Sequence, residues 1–159
     1  MKRSRPDHAI GKADHAENEQ ARNELDMRAD TICAGKNFRL LSTMGITCDV
    51  RGFHDNFELI RDVPMAQVAT AFRDEHGATN ILIINEALYF GPEMDHSLIN
   101  PNQIRHHGIP VSDDAYDGGR QFGIDHVDIF ILFDTEGSTV FFDSHVPTDR
   151  ELIHVHILR

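Results

Sequence analysis

The chain has no tryptophan, only two cysteines and no apolar run approaching the ~18 residues that a membrane-crossing helix needs. Cys33 and Cys48 are too few for a disulfide framework or an all-cysteine zinc site, and they read as reduced structural thiols. Cationic residues are also scarce. Fifteen Lys and Arg stand against 26 Asp and Glu, a formal charge of −11. That balance disfavours nucleic-acid coating and binding to anionic lipid, both of which rest on Lys and Arg. The N-terminus, MKRSRPDHAI, is basic but lacks the apolar stretch of a secretory signal. Walker-type glycine loops, a G-x-S-x-G elbow, H-E-x-x-H and Cys/His zinc knuckles are all missing. Asp113, Asp114, Asp117, Asp125 and Asp128 lack the ordered D-x-D-x-D-G spacing of a calcium loop and read as a solvated insertion. Eleven histidines include the adjacent pair His106-His107, and His154 and His156 at strand spacing. With no Cys or carboxylate at zinc-motif spacing beside them, they read as surface histidines, so no metal and no cofactor is expected.

What is present suits a globular chain. Of its 159 residues, 40% are hydrophobic and 26% charged, and a chain of this size buries roughly 70% of its unfolded surface. Residues 1–23 hold little apolar content and alternate in charge sign, as a disordered tail or linker does. From Glu24 onward, short apolar stretches alternate with turn residues. Strands are expected at Phe38–Ser42 and Ile46–Val50 around a Met44-Gly45 turn, and at Met65–Phe72. Others are expected at Asn80–Phe90, Asp128–Phe133, Ser138–Phe142 and Ile153–Leu158. Asn100, Pro101 and Gly108 carry the start and stop chemistry of one short helix near residues 101–107. The pattern predicts an all-β fold, a closed barrel or packed sandwich, with that single helix.

The segment from Glu24 to Gly35, ELDMRADTICAG, places Asp26 just after a short strand, followed by Ala29, Asp30 and Thr31. A carboxylate on such a loop can act as a general base, and two facing loops would share one proton. Asp30 and Thr31 can alternatively brace the turn through side-chain to backbone bonds. Further along, Leu98-Ile99-Asn100 precedes the short helix.

The Asp26 loop resembles the Asp-Ser/Thr-Gly-Ala loop of retroviral-type aspartic proteases, and Leu98-Ile99-Asn100 resembles their hydrophobic-hydrophobic-Gly element. Together with Asp62-Val-Pro64, Asn85–Tyr89, His96–Arg105 and Ser138–Thr148, these segments resemble the protease region of copia-type retrotransposon polyproteins. The resemblance implies a retropepsin-like aspartic protease domain over 24–108 and a β-rich C-terminal extension over 109–159. It implies an endopeptidase that processes its own polyprotein as a homodimer, each subunit supplying one Asp26 to activate a water. It gives Met27, Arg28, Ala29, Asp30, Thr31, Leu98, Ile99 and Asn100 to the active-site and substrate-binding elements. A flap over the substrate would be Met65–Ile84, with its tip near Asp74–Gly77. The expected partners are a second copy and the polyprotein substrate, with no membrane and no direct nucleic acid. The expected location is the cytoplasm or virus-like particles, and the 159 residues read as a slice of a longer polyprotein.

Three positions depart from that pattern. Met27 stands where the family has a hydroxyl that hydrogen-bonds across the dimer. Arg28 puts a cation beside Asp26, against a shared proton. Asn100 replaces a glycine. A catalytically degenerate, non-enzymatic dimerisation or binding module from the same element is therefore the alternative. A small acidic ligand-binding β-barrel is the reading that sets the resemblance aside.

Overall fold

The computed structural model describes residues 19–52, 58–154 and 156–158. Residues 1–18, most of the expected tail, lie outside them. The last three residues of that tail are instead part of the first strand, β1 (Ala21–Leu25). Ala21 and Asn23 are buried there, because β1 pairs on both sides.

Among the described residues, twelve strands follow one another with two short helices. β2 (Cys33–Ala34), β3 (Arg39–Val50), β4 (Ile60–Arg73) and β5 (Thr79–Tyr89) lead through a 3-10 turn at Gly91–Glu93 to β6 (Ser97–Ile99) and α1 (Pro101–His106). β7 (Val111–Ser112), β8 (Gly123–His126), β9 (Ile129–Leu132), β10 (Asp134–Glu136) and β11 (Thr139–Ser144) precede α2 (Asp149–His154) and β12 (His156–Leu158). The all-β class holds. The main sheet has the order β10-β11-β1-β6-β2-β5-β4-β3, with β12 beside β5, and a second sheet has the order β7-β8-β9.

The expected closed barrel does not form among the described residues. β10 and β3 end the path and do not pair with each other. Closure needs a continuous ladder, and β3 has three register shifts and is exposed on both faces from Ser42 to Thr47. The two sheets instead share one core. Val111, Ile124 and Ile131 of the small sheet pack with Val68, Phe72, Ile99 and Phe142 of the large one. β11 pairs with β1 along Ala21–Glu24.

Local chemistry explains the other differences. The expected Met44-Gly45 turn is a bulge inside β3. The ladder slips between Thr43 and Thr47, and Gly45 takes the φ of +73° that a side chain resists. The expected strand Ile153–Leu158 begins as helix, so His154 ends α2 while His156 starts β12, and the two do not share a strand. Thr148 and Glu151 start α2 as a reciprocal cap. Thr148 Oγ1 accepts from the Glu151 amide at 3.1 Å, and Glu151 Oε1 accepts from the Thr148 amide at 3.2 Å.

Candidate functional site: the Asp26 loop and its clasp

β6 lies between β1, to which it is parallel, and β2, to which it is antiparallel. The loop from Asp26 to Ile32 must therefore cross from one side of β6 to the other. This crossing fixes the loop at both ends. The Asp26 amide donates to the Ile99 carbonyl at 3.0 Å, and the Leu88 amide donates to the Ile32 carbonyl at 2.9 Å. Inside the loop, Asp26 Oδ1 accepts from the Arg28 amide at 2.9 Å, a side-chain turn that orients one carboxylate oxygen.

Side chains of the β6–α1 junction close the clasp. Asn100 Nδ2 donates to the Ala29 carbonyl, while its Oδ1 accepts from the amides of Asn102 and Gln103 and caps α1. Its backbone is ordinary extended chain, φ −83° and ψ 111°, so nothing here demands the glycine of the family pattern. Gln103 Oε1 accepts from the Ile32 amide at 2.8 Å and from Thr31 Oγ1 at 3.0 Å, and its Nε2 donates to the Glu86 carbonyl at 2.9 Å. Thr31 thus takes the bracing role, with a helix side chain as its partner. Met27, Arg28 and Asp30 are exposed, and Asp26 and Ala29 are half-buried. Leu98 and Ile99 point to opposite faces of β6: Leu98 packs near Cys33, and Ile99 is in the main core.

Beneath the loop, Cys33, Val63 and Leu88 form an apolar floor, with Cys48, Val50, Met65 and Leu98 packed on it. Burial, together with the Asp26 carboxylate, pushes the Cys33 thiol up to about 11, so it is no nucleophile at neutral pH. On the other side a cleft of about 560 Å³ is lined by Ile32, Ile99 and Gln103, with Ile84, Ile104 and Ile124.

The expected cover segment, Met65–Ile84, falls in the β4–β5 hairpin. Its turn, Asp74–Ala78, sits nine residues along β5 from Leu88, where β2 joins the sheet. At ~3.3 Å per residue that is about 30 Å, too far to cover Asp26. The β3–β4 arm runs past Leu88 at the other end of β5, and its Cys48, Val50 and Val63 pack with Cys33.

The scaffold behind β1 is a buried polar network that sequence reading did not find. Asn37 Nδ2 donates to Asn23 Oδ1 and Ser144 Oγ, both at 2.9 Å, and Asn37 Oδ1 accepts from Ser97 Oγ at 2.6 Å. Ser97 Oγ accepts from the Gly35 amide at 2.8 Å, and Thr70 Oγ1 donates to Ser144 Oγ at 2.6 Å. These bonds tie β1, β4, β6 and β11 together. The available signal was two asparagines flanking apolar strand positions, and for Gln103 its place three residues after the cap Asn100.

No group of three or more His, Cys, Asp or Glu side chains suited to a metal occurs among the described residues. His106 and His107 make an edge contact with each other, 5.8 Å between ring centroids. None of the described helices is long and apolar enough to cross a membrane. Comparisons with protein-family models, curated proteins and solved structures find no match to this chain.

Proposed function

We propose that this chain is the aspartic endopeptidase region of a copia-type retrotransposon polyprotein, with a retropepsin-like site completed by a second copy. The observation that carries the reading is the clasp. Asp26 sits at the end of a strand on a loop held by Ile99, Asn100 and Gln103. Such a loop costs little to reorganise when it meets its twin, and preorganisation is what acid–base pairs need. One chain offers one Asp26, so two loops must face each other with a water between the carboxylates. One carboxylate then takes the water's proton as the other protonates the scissile carbonyl. Met27, 61% exposed at the loop apex, gives that interface an apolar contact. The β3–β4 arm is the element that would cover a bound polypeptide. Membrane and nucleic acid have no part in this reading, which places the chain in the cytoplasm or in virus-like particles.

Met27 and Arg28 favour a second reading, a degenerate dimerisation or binding module. Neither can supply the hydroxyl bridge between paired loops, and both are exposed at the position where the pairing would occur.

One experiment separates the two. Cleavage of fluorescein-labelled casein is followed at mildly acidic pH with and without pepstatin, for the wild-type chain, for Asp26→Asn, and for Met27→Ser with Arg28→His. Pepstatin-sensitive turnover that Asp26→Asn abolishes supports the endopeptidase. Turnover only in the Met27→Ser/Arg28→His variant supports the degenerate module. A chain that sediments as a monomer and is inactive in every form defeats both.

A further inference from the structure

A second cleft, of about 480 Å³, opens where the β4–β5 turn meets β9, β10 and β11. Apart from Ile131 and Phe142 it shares no lining with the cleft beside the Asp26 loop. Its lining includes the half-buried Phe130 and the buried Phe72, Phe133, Phe141 and Phe142. Three of these form a packed ladder, Phe72 edge-on to Phe142 at 6.5 Å and Phe133 stacked on Phe142 at 6.2 Å.

Its charge is one-sided. Asp74, Glu75, Asp134 and Asp143 line it with Arg73, and Arg22 lies beside Asp143. The Asp74 carboxylate is satisfied by its own turn, accepting from the amides of His76 and Ala78 and from Asn80 Nδ2. Burial raises the Asp143 carboxyl, Arg22 pulls it back and Asp134 pushes it up again, with a net upward shift.

The fold already shows what this wall can hold. The Arg22 guanidinium lies 4.0 Å from the Phe141 ring centroid and pairs with Glu136. A cation between an aromatic face and a carboxylate is favourable on both counts. The cleft also borders an open strand edge. β10, which begins at Asp134, pairs with β11 alone among the described strands and is exposed along its whole length. An unpaired edge is a template for an added strand.

We propose that this cleft and the edge of β10 form a docking site for an extended segment of a partner polypeptide carrying Arg or Lys beside an apolar residue. The partner's backbone pairs along β10. Its cationic side chain enters among Glu75, Asp134 and Asp143, beside the half-buried Phe130. The site is independent of the Asp26 loop and stands whether or not the chain is an endopeptidase.

The test is fluorescence anisotropy of the full-length chain with a fluorescein-labelled Val-Arg-Phe-Arg-Val amide, beside an analogue in which neutral citrulline replaces both arginines. Saturable binding of the arginine peptide is expected, with the citrulline analogue about tenfold weaker or worse. Asp134→Asn with Asp143→Asn should weaken the arginine peptide by a similar factor. Glu93→Gln with Asp95→Asn, equal in charge change but outside the cleft, should leave it unchanged. Circular dichroism confirms that each variant is folded. Equal binding of the two peptides, or equal losses in both double variants, overturns the proposal and leaves only general attraction to an acidic chain. Butylguanidinium competing at the peptide's own affinity also overturns it, because a small cation would then suffice.

Discussion

Removing the Asn37 side chain perturbs the support of the Asp26 loop without touching the loop. Asn37 is 1% exposed and sits at the centre of the network that joins β1, β6 and β11. In Asn37→Ala, Asn23 Oδ1 loses its donor and the Ser97 hydroxyl loses its acceptor. Each buried polar group so orphaned costs about 1–3 kcal/mol, and the vacated amide leaves a void. The expected destabilisation is about 3–5 kcal/mol, a large share of the ~5–15 kcal/mol that holds a domain folded. At about 2–4 °C per kcal/mol for a domain of this size, Tm falls by about 6–20 °C. Urea unfolding followed by circular dichroism measures the loss, and the Asn37→Ala/Ser97→Ala double variant measures the coupling. The two single losses should exceed the double loss by about 1 kcal/mol or more, because both remove the same bond. A loss under about 1 kcal/mol in Asn37→Ala, or strict additivity with Ser97→Ala, would refute the claim that this network is a direct and interdependent brace.

Three further outcomes follow from the same geometry. Gln103→Ala strips the acceptor from the Ile32 amide. Hydrogen exchange at Ile32 should then accelerate more than at core amides of β5, and unchanged exchange there would remove Gln103 from the clasp. In a Cys48→Ser background, Cys33 should react with Ellman's reagent at pH 8 at about a thousandth of the rate expected from full thiolate; adding Asp26→Asn should speed it, since the Asp26 charge helps hold the thiol protonated. Glu151 is drawn below the usual carboxylate range: burial opposes this, but the bond to His145 and the Thr148 amide prevail. Its folded value being depressed, its contribution is present above the unfolded value and disappears as pH falls through the folded one. Glu151→Gln should therefore lower stability at pH 6 and flatten the acid limb of a pH–stability curve; an unchanged limb would rule out that linkage.

The sequence was most legible where local chemistry and periodicity agreed. The helix after Asn100 begins at Pro101 as its cap dictates, and the apolar run in Asn80–Phe90 became β5. It was least legible where a local signal had two physical outcomes. Gly45 can turn a chain or bulge it, and only pairing with β4 on both sides of the glycine decided for the bulge. Thr148 and Glu151 carried a complete capping pair that the alternation of Ile153–Leu158 masked. The long strands β3, β4 and β5, the acidic excess and the helix after Asn100 therefore belong to the sequence alone, because burial periodicity and capping act within a few residues. The open sheet, the insertion of β6 between β1 and β2, and the meeting of Asp26 with Ile99, Asn100 and Gln103 belong to the tertiary structure. They join residues some 70 positions apart, and no local preference specifies which distant strand will satisfy a given backbone.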